Sequence, residues 1–237
     1  MKKLLLFDID STLITMERTA QRAIMSHASK RAFGYDIPEN AVPQLSGKTD
    51  RQIIAEINAN LGLSIASLEF ITNEFLEGLR EITPKFSTPF TVQALGGVVE
   101  IVEYFHHHSD VTLGLVTGNN RECAFFKLSP IGLDKYFSVG AFGCDHHDRR
   151  LLPPIAMQRA MDEVGLHTFT SDNTLIIGDA PGDIACAHAN EIPILAVATG
   201  RYSFDELRDL GADAVLEDLS NTSKSISTIN RLLNIYT

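Results

Sequence analysis

The sequence predicts an α/β protein whose core is a parallel sheet covered by helices on both faces, with a small all-helical domain inserted near its start. Three observations point there. Short, continuously apolar runs recur along the chain with the length of strands buried on both faces. Segments with apolar residues at helical spacing separate most of those runs. One long interval after the first run carries helical patterns only.

The first run, Leu4, Leu5, Leu6 and Phe7, is closed by Asp8 and predicts strand one. From Thr15 to Phe86 no strand pattern is convincing. Apolar positions instead recur at helical spacing: Ala20, Ala23, Ile24 and Ala28, then Ile53, Ile54, Ile57 and Leu61, then Leu68, Ile71, Phe75 and Leu79. With linkers near Thr15 and from Thr83 to Pro89, residues 15–87 read as an inserted helical cap domain, and residues 1–14 and 88–237 as a Rossmann-like core. In that core the spacing predicts helices over 92–106, 121–128, 155–164, 183–189 and 204–210, and strands over 111–116, 174–177, 194–198 and 214–216. Residues 220–227 are rich in Ser and Thr and read as a loop or a weak helix start, after which Ile229, Leu232, Leu233 and Tyr236 would cover a sheet edge.

Composition narrows the function classes. At roughly 150 residues per domain, 237 residues amount to between one and two domains. Lys and Arg number 20 against 30 Asp and Glu, a formal charge of −10, which argues against a general nucleic-acid or anionic-membrane surface. Cys123, Cys144 and Cys186 form no C-x-x-C pair, so the expectation is a cytoplasmic protein with reduced thiols. The opening MKKLLLF imitates a signal peptide, but Asp8 and Asp10 cut its apolar run short, and no later stretch reaches the roughly 20 apolar residues of a membrane span.

Chemistry collects where the strands of a parallel sheet end, because ligands bind in the crevice outside those carboxyl ends. Strand one ends in DIDST, with Asp8, Asp10, Ser11 and Thr12; the second core strand ends in VTGNN, with Thr117, Gly118, Asn119 and Asn120; a later strand ends in IGDAPGD, with Asp179 and Asp183. Two unit charges about 4 Å apart repel by roughly 4 kcal/mol at an effective dielectric near 20, so four carboxylates on one edge require a cation. Oxygen ligands without thiolates or a His cluster favour a hard divalent ion, Mg²⁺ above all. Gly and Thr at the strand-to-helix turns offer N–H and hydroxyl donors to a phosphate. Carboxylates, Mg²⁺ and a phosphate cradle indicate phosphoryl transfer.

The three motifs, D-x-D-x-T at Asp8, Asp10 and Thr12, TGN at Thr117, Gly118 and Asn119, and GD-x-x-x-D at Asp179 and Asp183, resemble those of the haloacid dehalogenase superfamily of phosphohydrolases. The resemblance runs through the whole chain in order. SGKTD, with Lys48, and KLSPIGLDKYF, with Lys127, are similar to its phosphoglycolate-phosphatase-like branch with a helical cap. It implies a Mg²⁺-dependent phosphoric monoester hydrolase with Asp8 as nucleophile and Asp10 as acid and base. It also implies that Thr117, Gly118, Asn119 and Ser11 hold phosphate oxygens, and that Asp8, the Asp10 carbonyl, Asp179 and Asp183 ligate the metal. Two positions depart from the pattern. Position 11, usually Gly, is Ser11, and no lysine lies between Lys135 and Asp179 to contact the phosphoryl group. Lys127, then Arg149, and after it Arg150, are the candidates for that cation, since Arg binds phosphate in a fork and Lys as a point charge.

Other polar clusters have plainer readings. His106, His107 and His108 fit a solvated helix end, His146 and His147 a polar loop, and Cys186 with His188 helix packing. Lys48 either reaches the anionic end of a substrate or is a solvated residue at a capped helix start. A phosphomutase uses the same core groups, and a non-catalytic phospho-aspartate module shares some of them. A dehalogenase has no use for Asp10, because it has no leaving alkoxide to protonate.

Overall fold

A computed structural model of the chain describes residues 2–165 and 169–235. Among them, eight strands run in chain order as β1 (Lys3–Phe7), β2 (Ile14–Met16), β3 (Val92–Ala94), β4 (Val111–Val116), β5 (Val139–Ala141), β6 (Thr174–Gly178), β7 (Ile194–Val197) and β8 (Ala214–Leu216). The α-helices are α1 (Arg18–Phe33), α2 (Asp50–Asn60), α3 (Leu68–Phe86), α4 (Val98–His106), α5 (Arg121–Leu128), α6 (Leu152–Val164), α7 (Pro181–Ala189), α8 (Phe204–Asp209) and α9 (Thr222–Leu232).

Six strands form one parallel sheet in the order β5-β4-β1-β6-β7-β8. The sequence of β1 explains its central place. Leu5 and Phe7 enter one hydrophobic cluster, Leu4 and Leu6 the other, and all four are fully buried. A strand apolar on both faces cannot sit at an edge or face water. The strand order turns back on itself at β1, with β4 on one side and β6 on the other, which makes the carboxyl ends of these three strands a topological switch point.

Helices α1, α2 and α3 lie between β2 and β3, which pair antiparallel with Ile14 opposite Ala94 and Met16 opposite Val92. α1 and α3 pack closely: a Cβ added at Gly78 would meet the Cα of Ala28 at 2.7 Å. Arg31 on α1 fastens the pair by bonding Glu74 at 3.0 Å and Glu81.

Three local features differ from the sequence reading. Residues 92–94 form β3 where a helix from Val92 was expected; their accessibility alternates with period two, and Gly96 and Gly97 intervene before α4 begins at Val98. Gly97 has φ +80°, and a Cβ there would lie 2.0 Å from the Leu219 carbonyl oxygen. The short strands β2 and β5 went unanticipated, three residues being too few to show a pattern. α9 is a full helix, its first turn capped by the Asn221 side chain accepting from Lys224 N–H at 3.1 Å. Ile229 and Leu233 are buried in the larger cluster, while Tyr236 lies outside the described residues. Among the described residues no helix is long and apolar enough to cross a membrane.

Candidate active site

Because β1, β4 and β6 are neighbours, the residues that follow them converge. Asp8 leaves β1 buried and its backbone N–H donates to Ile177 O at 2.9 Å, so β6 carries the ladder one step past the strand. Thr117 follows β4 and donates its N–H to Ala141 O at 3.1 Å. Asp179 follows β6 and accepts the Thr12 hydroxyl at 3.2 Å. Asp183 sits in the first turn of α7, where its side chain accepts the Ala180 N–H at 3.0 Å; Pro181 opens that helix, where a missing N–H costs nothing.

Carboxylate oxygens of Asp8, Asp179 and Asp183 lie within 4.8 Å of one another, and all three residues are buried. Burial pushes the Asp179 carboxyl far above the usual carboxylate range, and the neighbouring charges of Asp183 and Asp8 push it further. Asp183 is also raised, first by burial, with Arg149 opposing. The donor set is all oxygen, without thiolate or imidazole, and its own repulsion is relieved by a positive charge, so it fits a hard divalent cation. Its geometry is tightly bounded: a Cβ at Gly200 would meet Asp179 Oδ2 at 1.9 Å.

Arg149 supplies one positive charge beneath this cluster. It is 5% exposed, and its Nη2 lies 3.1 Å from Asp8 Oδ1 and 2.5 Å from Asp183 Oδ1, with a further bond to Val116 O at 3.2 Å. Its buried Nε makes no hydrogen bond among the described residues. Lys127, reaching in from α5, pairs instead with Asp10: Nζ donates to Oδ1 at 2.9 Å and Oδ2 at 2.7 Å, and also to Asn119 Oδ1 at 2.7 Å. Asn119 in turn donates to Asp10 Oδ2 at 2.8 Å and to Thr117 Oγ1 at 2.9 Å. Burial pushes the Asp10 carboxyl up, but the charge and hydrogen bonds of Lys127, with those of Asn119, bring it below the usual range.

The loop ahead of α2 closes over this edge by main-chain contact. Asp50 N–H donates to Gly118 O at 2.9 Å, and Asp50 Oδ2 accepts Asn120 N–H at 2.8 Å. The Thr49 hydroxyl caps α2 at Gln52 N–H and donates to His147 O at 2.8 Å. Glycines make the approach possible: a Cβ at Gly118 would fall 1.9 Å from Lys48 O, and one at Gly182 would fall 2.3 Å from Gly47 O. The space beneath the loop holds a cavity of about 260 Å³. Its floor is Asp8, Asp10, Ser11, Thr117, Gly118, Asn119, Arg149 and Asp179, and its apolar roof includes Ile24, Met25, Leu45, Ile53 and Leu79. Lys48 and Lys127 also line it.

Most of the residues singled out in the sequence therefore meet at one cavity. Asp183 stands behind its wall, held by Arg149 and Ala180, and Lys48 has its ammonium engaged by Glu56. Arg150 points away to solvent, paired with Asp148 at 2.7 Å. Ser11 takes φ +63°, the left-handed backbone that glycine adopts freely, and its carbonyl accepts the Thr199 hydroxyl. His146 and His147 stack on each other beside a neighbouring groove and do not line this cavity. Asp50 was missed as a lining residue; its only signal was its place at the end of SGKTD, ahead of a helix.

Comparison with known proteins gives a family and a fold. The profile of the family described as haloacid dehalogenase-like hydrolase matches residues 5–197. Phosphoglycolate phosphatase of Rhodospirillum rubrum is 30% identical over 112 residues, which are 47% of this chain and 44% of that protein, so the match takes in less than half of that relative. Pyrophosphatase PpaX of Oceanobacillus iheyensis is 23% identical over 217 residues, 92% of this chain and 93% of that one. Among solved structures, β-phosphoglucomutase of Clostridium difficile superposes with a TM-score of 0.71 over 99% of this chain and 98% of its own, at 16% identity, a likeness of fold.

Proposed function

The chain belongs to the haloacid dehalogenase-like hydrolase family, and on that footing we propose that it is a phosphoric monoester hydrolase acting on a small phosphorylated metabolite, phosphoglycolate-like or a sugar phosphate. One observation carries the reading. Asp8, Asp10 and Arg149 line a single cavity, with Arg149 3.1 Å from the Asp8 carboxylate, as a nucleophile, an acid and base, and a phosphoryl-holding cation would have to be placed.

In this reading Asp8 attacks phosphorus and the bond to the leaving oxygen breaks, giving a phospho-Asp8 and an alcohol that takes its proton from Asp10. Water then attacks the same phosphorus and yields its proton to Asp10, releasing phosphate and restoring Asp8. Thr117, Gly118, Asn119 and Ser11 hold the phosphoryl oxygens from the turns. Arg149, whose Nη2 lies 3.1 Å from Asp8 Oδ1, is placed beside the nucleophile to bond those oxygens, while Lys127 holds Asp10. Mg²⁺ held by Asp8, Asp179 and Asp183, with the Asp10 carbonyl as a further ligand, would neutralise charge building on the phosphoryl group. Residues 15–87 act as a cap domain that excludes bulk water while the phosphoryl group passes from substrate to Asp8 and admits the attacking water once the alcohol has left.

The test is hydrolysis of 4-nitrophenyl phosphate by the purified chain. Turnover is expected with Mg²⁺ and not with a chelator, and Asp8→Asn is expected to remove it. Turnover surviving that substitution overturns the assigned nucleophile.

A further inference from the structure

Charge around the leaving-group half of the cavity is arranged against one class of substrate. Three cations line the space, and each already faces a carboxylate: Lys48 faces Glu56, Lys127 faces Asp10 at 2.7 Å, and Arg149 faces Asp8 at 3.1 Å. The apolar roof offers no charge at all. Against this stands one carboxylate that belongs to neither the acidic metal cluster nor the acid-base pair, that of Asp50 at the first turn of α2.

Asp50 is held rigidly. Its backbone N–H donates to Gly118 O and its Oδ2 accepts Asn120 N–H at 2.8 Å, so the loop and the core fix it from both ends. Its Oδ1 makes no hydrogen bond among the described residues, and the residue lines the cavity. A carboxylate that lines a small cavity with one oxygen still unbonded accepts a hydroxyl and repels another carboxylate, and discrimination built on such repulsion is effective because it acts on the unwanted ligand alone. Burial pushes the Asp50 carboxyl up to about 6, with Asn120 and Lys127 opposing, so the pocket already disfavours the negative charge it holds.

We infer that Asp50 is a specificity-determining residue, and that the leaving group accepted here is an uncharged, hydroxyl-bearing alcohol with an apolar side, to the exclusion of carboxylate-bearing phosphoesters. The hydroxyl donates to Asp50 Oδ1, the hydrocarbon side lies under Ile24, Ile53 and Leu79, and Arg149 is left to the phosphoryl group. The inference rests on the proposed phosphatase activity and narrows its substrate range.

A matched pair tests it: 2-hydroxyethyl phosphate and 2-phosphoglycolate share a two-carbon skeleton and differ in carrying a hydroxymethyl group or a carboxylate. With Mg²⁺ and the full chain, kcat/KM is expected to favour the hydroxyl compound by roughly tenfold or more, and Asp50→Asn to bring the two within about threefold of each other, chiefly through a lower KM for 2-phosphoglycolate. Loss of a merely structural residue would depress both substrates alike and leave the ratio where it was, and that result overturns the assignment to Asp50. The wild-type ratio judges the substrate class even if the variant fails to fold: 2-phosphoglycolate turned over as well as its partner, in protein that hydrolyses 4-nitrophenyl phosphate, overturns the inference and leaves the phosphatase reading standing. Protein inert towards 4-nitrophenyl phosphate as well overturns both.

Discussion

Lys127 Nζ lies 2.9 and 2.7 Å from the two carboxylate oxygens of Asp10, joining α5 to the turn after β1. Burial alone would raise the Asp10 carboxyl, and Lys127 is the chief reason that it lies low instead. Lys127→Met removes that charge and leaves the burial. The ionisation of Asp10 in the pH profile of kcat/KM is expected to move up, with a loss of activity on the order of 10²-fold. An unmoved profile would show that Lys127 does not set the protonation of Asp10.

Arg149 sits between Asp8 and Asp183 with 5% of its side chain exposed. Removing one partner of a buried ionic cluster leaves the remainder uncompensated, at a cost of about 3–5 kcal/mol. Arg149→Met is expected to unfold at markedly lower temperature in a chelator, and to recover part of that loss in Mg²⁺. Equal melting temperatures for the variant and the wild type in chelator would refute the electrostatic account.

The acidic cluster sets the pH dependence of the metal-free protein. Asp179 is raised in the folded state to about 9, and Asp183 is raised too, so between the ordinary carboxylate pKa and these values the folded chain binds more protons than the unfolded one. Stability in chelator is therefore expected to fall as pH rises from about 5 towards 9, with Mg²⁺ flattening the curve. Thermal melts across that range with and without the metal check it, and a chelated curve that rises with pH contradicts the sign.

Ser11 holds φ +63°, a conformation costing an L-residue about 1–2 kcal/mol, partly offset by the greater chain entropy that glycine would lose. Ser11→Gly is expected to stabilise by roughly 0.5–1 kcal/mol, seen as a melting temperature raised by a few degrees. A lower melting temperature would mean that the Ser11 hydroxyl contributes more than its backbone costs.

Gly118 passes under Lys48 with no room for a side chain. Gly118→Ala is expected to lift the loop and cost on the order of 10²-fold in kcat/KM, through both constants, while melting within a few degrees of the wild type. Unchanged kinetics would show that closure tolerates a displaced loop.

The parts of the site that were legible in the sequence are local. Asp8, Asp10, Thr117 and Asp179 each follow a strand whose apolar run is plain, so strand order and spacing suffice to bring them to one edge. Partnerships across the fold were not legible. Lys127 and Asp10 are 117 residues apart, and nothing in either segment says which carboxylate the lysine will meet. Lys127 and Arg149 were both candidates for the phosphoryl-contacting cation, and only the fold shows that Lys127 pairs with Asp10 and Arg149 with Asp8. Asp50 reads in sequence as an ordinary first-turn acid, which helix electrostatics alone would explain, and only the closed loop reveals that it faces the cavity. β2, β3 and β5 escaped for a simpler reason, since three residues pair by tertiary placement and carry almost no pattern.

The seam between loop and core is made of main chain meeting main chain, through Gly47 against Gly182 and Gly118 against Lys48. Two side chains reinforce it, Asp50 accepting the Asn120 N–H at 2.8 Å and Thr49 donating to His147 O at 2.8 Å. Over the cavity, Ile24, Ile53 and Leu79 also belong to the hydrophobic cluster that takes in Leu5, Phe7 and Leu115 of the sheet. A change among them therefore alters the cavity and the packing around it together, so the shape of this space and the junction beside it are bound to vary as one in descendants of this chain.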